Sequence, residues 1–202
     1  MDILQILTSK QRKDWIREDF SSYEMQHPIV ARFTYGENWA LFAYTRNLRY
    51  LEWHYNHLRL ARENNSKNYQ SWFRKKYHGI LYCWHWLKHR RLCKSLSIAV
   101  SPNSLGPGAH FVHYGFRHIL EGTKIGRKCT ILPMVLIGKK RPDIKEWQIV
   151  IGDNCYISTG VTILGPVIIG DNVTIAAGAV VINDIPSNCI VAGIPAKIVR
   201  MK

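Results

Sequence analysis

The sequence predicts a mainly β chain: a parallel β-helix of six-residue repeats behind an α-helical N-terminal segment. Three observations predict it. Aliphatic residues recur every sixth position, at Ile119, Ile125, Ile131 and Ile137 and, after one break, at Ile151, Ile157, Ile163, Ile169, Ile175 and Val181. A small or aliphatic residue stands four places after most of these anchors (Cys129, Val135, Cys155, Val161, Val167, Val173, Ala179), and glycine directly follows several of them. Residues 1–95, in contrast, space their apolar and aromatic side chains as helices do. A period of six fits neither the 3.6 of a helix nor the alternation of one long strand. It fits short strands joined by tight corners, three to a coil, with the anchors pointing inward.

In chain order, Ser9 is expected to cap a helix through SKQRKDWIREDF, with Trp15, Ile16 and Phe20 on its apolar side. Pro28 and Gly36 punctuate the next stretch. Leu41, Tyr44, Leu48, Leu51, Tyr55 and Leu58 form one stripe of a helix from Asn38 to about Arg62. Residues 63–68 read as a loop, and Tyr69 to Leu92 as a second long helix ending in the basic run 88–94. Six of the seven Trp lie in this half, which suits helix faces packed on one another or on a neighbouring subunit. His54 with His57, and His85 with His89, share helix faces, but no carboxylate or Cys at a useful spacing completes a metal site, so none is expected.

The expected organisation is therefore a helical domain over 1–95, a β-helix over 96–185 with an excursion at 138–149, and a C-terminal cap over 186–202. The helical domain reads as removable, so that 96–202 would remain a folded oligomer. Two breaks of register mark candidate sites, since loops on a rigid scaffold are where chemistry concentrates. From Phe111 to Ile119 the step is eight, which inserts two residues within HFVHYGFRH; from Ile137 to Ile151 it is fourteen, which expels GKKRPDIKEWQIV.

Composition bounds the rest. Of 202 residues, 47% are hydrophobic, enough for a sizeable core. Five scattered Cys form no CxxC pair, and Cys129 and Cys155 fall on inward positions as buried thiols. The N-terminus lacks the apolar stretch of a signal peptide, so a cytoplasmic protein is expected. The net charge is +14, and residues 1–95 carry 17 Lys and Arg against 8 Asp and Glu. Such a surface suits an anionic small substrate or the inner face of a membrane; no nucleic-acid-binding signature accompanies it.

The repeats, the VHYG segment and the terminal VAGIPAKIV resemble the hexapeptide-repeat acyltransferases, especially serine acetyltransferases and the polysaccharide O-acetyltransferases. The resemblance covers residues 96–202 well and the helical half loosely. It implies a left-handed β-helix, an exception to the right-handed crossover rule. It also implies a homotrimer, with further pairing of trimers through the helices left open, and acetyl-CoA in the groove between prisms, with no metal. His113 matches the catalytic histidine; His110 and His118 are rivals in the same loop. Gly138, Thr159, Gly160, Ala177, Gly178 and Gly193 match the family's small cofactor-side residues, and Lys197 or Arg200 would meet its phosphates. Small residues there are also what a tight corner needs.

This chain departs from the serine enzymes. Ala99 replaces an Asp that pairs with the histidine, which leaves Glu121, or no carboxylate, to orient the ring. The excursion reads KKRPDIKEWQ and lacks the substrate-binding His of those enzymes, and Asn183 replaces a Lys. A sugar or capsular glycan hydroxyl is therefore the expected acceptor, met by Arg117, His118, Lys139 and Arg141. Serine is the alternative acceptor, and a non-catalytic scaffold the alternative from another class.

Overall fold

The computed structural model describes residues 5–23, 25, 36–63, 69–141, 143 and 148–202. Pro28, the 64–68 connection, and residues 142 and 144–147 of the excursion lie outside the described residues.

Helix α1 spans Ser9–Ser22. Its cap is Thr8 rather than Ser9: the extended backbone at Thr8 (φ −119°, ψ 152°) lets the hydroxyl accept the Gln11 N–H at 3.0 Å. Helix α2 spans Glu37–Glu63 and α3 spans Tyr69–Leu96, so α3 runs on through the whole basic tract. It stops where Ser97 takes a left-handed φ of 55°. On α2, Leu41, Tyr44, Leu48 and Leu51 are buried as their spacing predicts, but the stripe leaves the core at Tyr55, which is exposed.

Beyond α3 the described residues form fourteen short strands: β1 (Ile98–Val100), β2 (His110–Phe111), β3 (Arg117–Ile119), β4 (Thr123–Ile125), β5 (Thr130–Ile131), β6 (Val135–Lys139), β7 (Ile149–Ile151), β8 (Tyr156–Ile157), β9 (Thr162–Gly165), β10 (Val167–Ile169), β11 (Thr174–Ile175), β12 (Val180–Val181), β13 (Cys189–Ala192) and β14 (Lys197–Met201). They build a three-walled prism. The first wall is β1-β3-β6-β9-β12, the second β4-β7-β10, and the third β2-β5-β8-β11-β13-β14. Every pairing among them is parallel except β13 with β14, which turns back along the last coil.

The anchors stack directly. On the first wall Val100, Ile119, Ile137, Ile163 and Val181 lie in register; on the third, Phe111, Ile131, Ile157 and Ile175 do. All of these are buried, each contributing about 1.5–3 kcal/mol by leaving water. The glycines after the anchors have a packing cause. A Cβ on Gly126 or Gly152 would come within 2.6 Å of the backbone of the next coil, at Gly152 and Gly170 respectively. Only a residue without a side chain lets the coils close at that corner.

The helices are built into the prism. A β-helix leaves backbone groups of its first coil without a ladder partner, and buried ones must be satisfied elsewhere. Side chains of α1, α2 and Tyr23 just after α1 do this. The N–H groups of Val100, Asn103, Gly108 and Phe111 donate to Tyr44 Oη, Glu52 Oε1, Asp19 Oδ1 and Tyr23 Oη. Arg49, fully buried, donates to the Leu105 and Gly106 carbonyls at 2.8 and 2.7 Å, to Asp19 through Nε and Nη2, and to Glu52 through Nη1. The two carboxylates raise the pKa of Arg49 further, against the effect of burial, while burial lifts that of Glu52. Side chains of residues 1–95 thus meet the first coil of the prism, which argues against their being freely removable.

Candidate active site

The first register break forms as the sequence predicts. β2 meets β5 at Phe111 and Ile131, and β3 meets β6 at Arg117 and Val135. Between those pairs the upper coil has residues 112–116 and the lower only 132–134, so two residues are extra. The surplus is absorbed partly at His113, whose φ of +59° is a left-handed conformation costing a non-glycine residue about 1 kcal/mol or more. The imidazole points away from the prism and its side chain is 70% exposed. Tyr114 and Phe116 in the same loop are also exposed.

Two charged residues hold this bulge. Arg117, expected at the acceptor, instead points inward. It stands two residues before the anchor Ile119, and strand alternation puts both on one face. Its Nε donates to the carbonyls of Ile131 and Leu132, Nη1 to Gly115, and Nη2 to His113 at 2.8 Å and to Val112. Burial depresses its pKa to about 10, which still leaves it cationic at neutral pH. Arg117 therefore pins the backbone of the loop and is not an acceptor contact. The carbonyl of residue 113 is fixed by a buried cation while its side chain stays outside.

The second is Glu37, at the start of α2. Its Oε2 lies 3.3 Å from His113 Nδ1, and Oε1 accepts the Tyr114 N–H at 2.5 Å. Nδ1 is the ring nitrogen that meets the carboxylate, and a proton carried there would pair with it and leave Nε2 as the nitrogen free to accept. The carboxylate that meets the His113 ring is thus Glu37, whereas Glu121, expected there, is exposed on a turn at the far end of β3. Sequence reasoning misses Glu37 because a carboxylate in a helix's first turn is explained by the helix dipole alone.

Below His113 the same prism edge continues coil by coil through Pro133, Thr159–Gly160, Ala177–Gly178 and Gly193. The Gly160 N–H and the Thr159 hydroxyl both donate to the Pro133 carbonyl, and the Gly178 N–H donates to Thr159. Thr159, Ala177, Gly178 and Gly193 are exposed. Gly178 has φ +70° and open space where a Cβ would be, so conformation fixes the glycine and its absent side chain leaves a free edge. Lys197 pairs in register with Ala192 beside Gly193, whereas Arg200 lies farther along β14 opposite Ile190.

Other expected site residues are elsewhere. Gly138 is buried at the opposite end of the first wall, where a Cβ would strike Leu120. Lys139 and Arg141 follow it, with Arg141 paired to Asp143 at 3.2 Å. A strand of three residues, roughly 10 Å, separates that edge from His113 within one chain. His118 faces outward from the middle of β3, in register between Ala99 and Leu136, and His110 packs edge-on against Tyr23 at 4.9 Å. His113, Thr159, Gly160, Ala177, Gly178 and Gly193 share one edge; Gly138, Lys139, Arg141 and Glu121 do not.

The helical histidines form a ring cluster. His54 Nδ1 is 2.9 Å from His78 Nδ1, His85 Nδ1 meets Asn47, and His57 stacks on His78. Among the described residues no group of three or more His, Cys, Asp or Glu is disposed to hold a metal ion.

Comparison with known proteins agrees with this architecture. Residues 148–183 match the family model described as bacterial transferase hexapeptide (six repeats). A serine acetyltransferase of Synechococcus elongatus is 32% identical over 127 residues, which are 57% of this chain and 52% of that protein. The chain thus spans about half the length of this curated relative. Among solved structures, a serine acetyltransferase from Brucella abortus strain S19 superposes with a TM-score of 0.68 at 23% identity, covering 96% of this chain and 70% of that one. The same enzyme in complex with coenzyme A gives 0.66 at 21% identity over the same shares. A serine acetyltransferase of Neisseria gonorrhoeae gives 0.65 at 23%, with 96% and 68% covered. At these identities the likeness establishes the fold, a left-handed parallel β-helix behind N-terminal helices.

Proposed function

We propose that the chain is a hexapeptide-repeat acyltransferase, an acetyl-CoA-dependent O-acetyltransferase with His113 as general base, a reading supported by the repeat match over 148–183 and by the serine acetyltransferases it resembles. The observation that carries the proposal is the exposed imidazole oriented through Nδ1 by Glu37, at the head of an edge of small residues. The pantetheine arm would lie along Thr159–Gly160, Ala177–Gly178 and Gly193, where the side chains are small or absent, with Lys197 near the phosphates. In the reaction His113 Nε2 takes the proton of the acceptor hydroxyl as its oxygen attacks the thioester carbon. The tetrahedral oxyanion collapses with cleavage of the C–S bond, and the CoA thiolate leaves with the proton that His113 returns. Glu37 stabilises the imidazolium formed between those steps.

Serine is the acceptor that the comparisons favour, since the relatives with which the chain aligns are serine acetyltransferases. A sugar hydroxyl is the second reading. Two observations favour it: the excursion has no His, and the loop that carries His113 also exposes the aromatic side chains of Tyr114 and Phe116, which suit a carbohydrate ring better than a free amino acid. The proposed assembly is a homotrimer in the cytoplasm, with the His113 edge of one prism facing its neighbour; that would bring an adjacent excursion, with Lys139 and Arg141, toward the base.

Thiol release from acetyl-CoA on mixing with serine, and with a panel of sugars, separates the readings. Serine-dependent release supports the first and sugar-dependent release the second. No release with any acceptor, together with no binding of CoA, would leave only a scaffold.

A further inference from the structure

Helix α3 has two rows of large side chains. Its inner row, Tyr82, His85, His89 and Leu96, faces α2 and the first coil. Its outer row, Tyr77, Ile80, Trp84 and Leu87, is spaced three, four and three residues apart on the opposite side, and each of these side chains is more than half exposed: 54%, 69%, 67% and 55%. Such a row is about 15 Å long at the helical rise. Exposed apolar side chains are ordinary when scattered, but a continuous row this apolar marks a contact surface.

The charge on α3 identifies the occupant. Between Tyr69 and Leu96 there are seven Lys and Arg and no Asp or Glu. On a helical wheel Lys76, Arg90 and Lys94 flank the outer row on one side, Arg74 and Lys88 on the other, and Arg91 continues it. Arg59 and Arg62 of α2 line an adjoining cleft of about 390 Å³ with Tyr55 and Tyr82, which widens the positive band. A second copy seated on this row would bring one cationic helix against another, with no acidic residue on either to offset the repulsion. An anionic surface meets the bases that flank and continue the outer row favourably. The mixture of Trp, Tyr and flanking Lys and Arg is also that of helices lying at a lipid interface. No helix among the described residues is long and apolar enough to cross a membrane, so the contact is with its surface.

We propose that the outer face of α3 docks the protein, lying flat, on an anionic lipid bilayer, with Tyr77, Ile80, Trp84 and Leu87 entering the interface and the flanking bases meeting lipid phosphates. The proposal is independent of the acetyl-transfer reading, since none of these residues touches the His113 edge.

The test is co-sedimentation of the full chain with vesicles of phosphatidylcholine alone and of phosphatidylcholine with about a quarter phosphatidylglycerol, a headgroup that supplies the negative charge. The chain is expected to pellet with the anionic vesicles, to remain in solution with the neutral ones, and to be released by about 0.5 M salt. Lys88→Glu with Arg91→Glu should raise the lipid needed for half-binding by more than about tenfold, given about fivefold per base near the surface. Ile80→Glu with Trp84→Glu should abolish pelleting while far-ultraviolet circular dichroism stays unchanged. The proposal is overturned if the wild-type chain ignores anionic vesicles at low salt or binds neutral ones equally well. It is also overturned if either variant pair lowers the sedimentation mass, which would mean that a second copy fills this face.

Discussion

At the scale of single residues, the chemistry proposed for His113 would depend on a partner far away in the chain. Glu37 is 76 residues upstream and meets both the ring and the next backbone N–H. Glu37→Gln keeps a hydrogen-bond acceptor for Nδ1 but removes the charge that stabilises an imidazolium. It should lower kcat about tenfold to a hundredfold and leave KM for acetyl-CoA within about twofold. Steady-state kinetics with varied acetyl-CoA checks this; an unchanged kcat would mean that Glu37 only staples the loop. The register break was legible in the sequence, but it holds His110, His113 and His118 alike, and only the family resemblance singled out His113 among them. Glu37 was not legible, because nothing local distinguishes a helix-starting carboxylate that caps a dipole from one that orients a base. Arg117 was misread although its signal was present, since a residue two before an inward anchor shares that anchor's face.

At the scale of elements, the repeats were legible to the residue because one anchor in six fixes a coil, and the helices were legible in extent. What the spacing could not give is where the helices dock. That is set by polar side chains reaching the first coil, and such contacts leave no period. Arg49 carries most of this junction, with its donors divided between two carboxylates and two carbonyls. Arg49→Met would fill the space while leaving Asp19 and Glu52 buried without their cation. A loss of about 3–5 kcal/mol is expected, read as a lower urea midpoint with an unchanged slope. A loss below about 1 kcal/mol would show that the helices are loosely attached.

At the scale of the whole molecule, the helical half makes stability depend on pH. Burial, reinforced by neighbouring His54, His57, His78, His85 and the cations Arg12, Arg74 and Lys88, depresses the pKa of His54 to about 3 and those of His78 and His85 to about 4. Burial alone lowers that of His89 to about 4. In the unfolded chain these groups titrate near 6.5, so between there and about 4 the unfolded state binds more protons. Stability is therefore fully present above about 6.5 and falls as the pH drops, by up to about 1.4 kcal/mol per unit for each histidine. Glu52, its pKa raised by burial, acts in the opposite direction, one group against four. Thermal unfolding followed from pH 7.5 to 4.5 should show Tm falling steadily below about 6.5, and His54→Asn should flatten the fall. A Tm independent of pH would mean that the cluster is hydrated.

The most direct measurement is the rate of CoA thiol release by His113→Ala, with acetyl-CoA saturating and the acceptor that the wild type uses. A drop of at least about a hundredfold, with CoA binding and the far-ultraviolet spectrum preserved, is the predicted result. Residual transfer within tenfold of wild type would contradict it and remove the imidazole from the reaction.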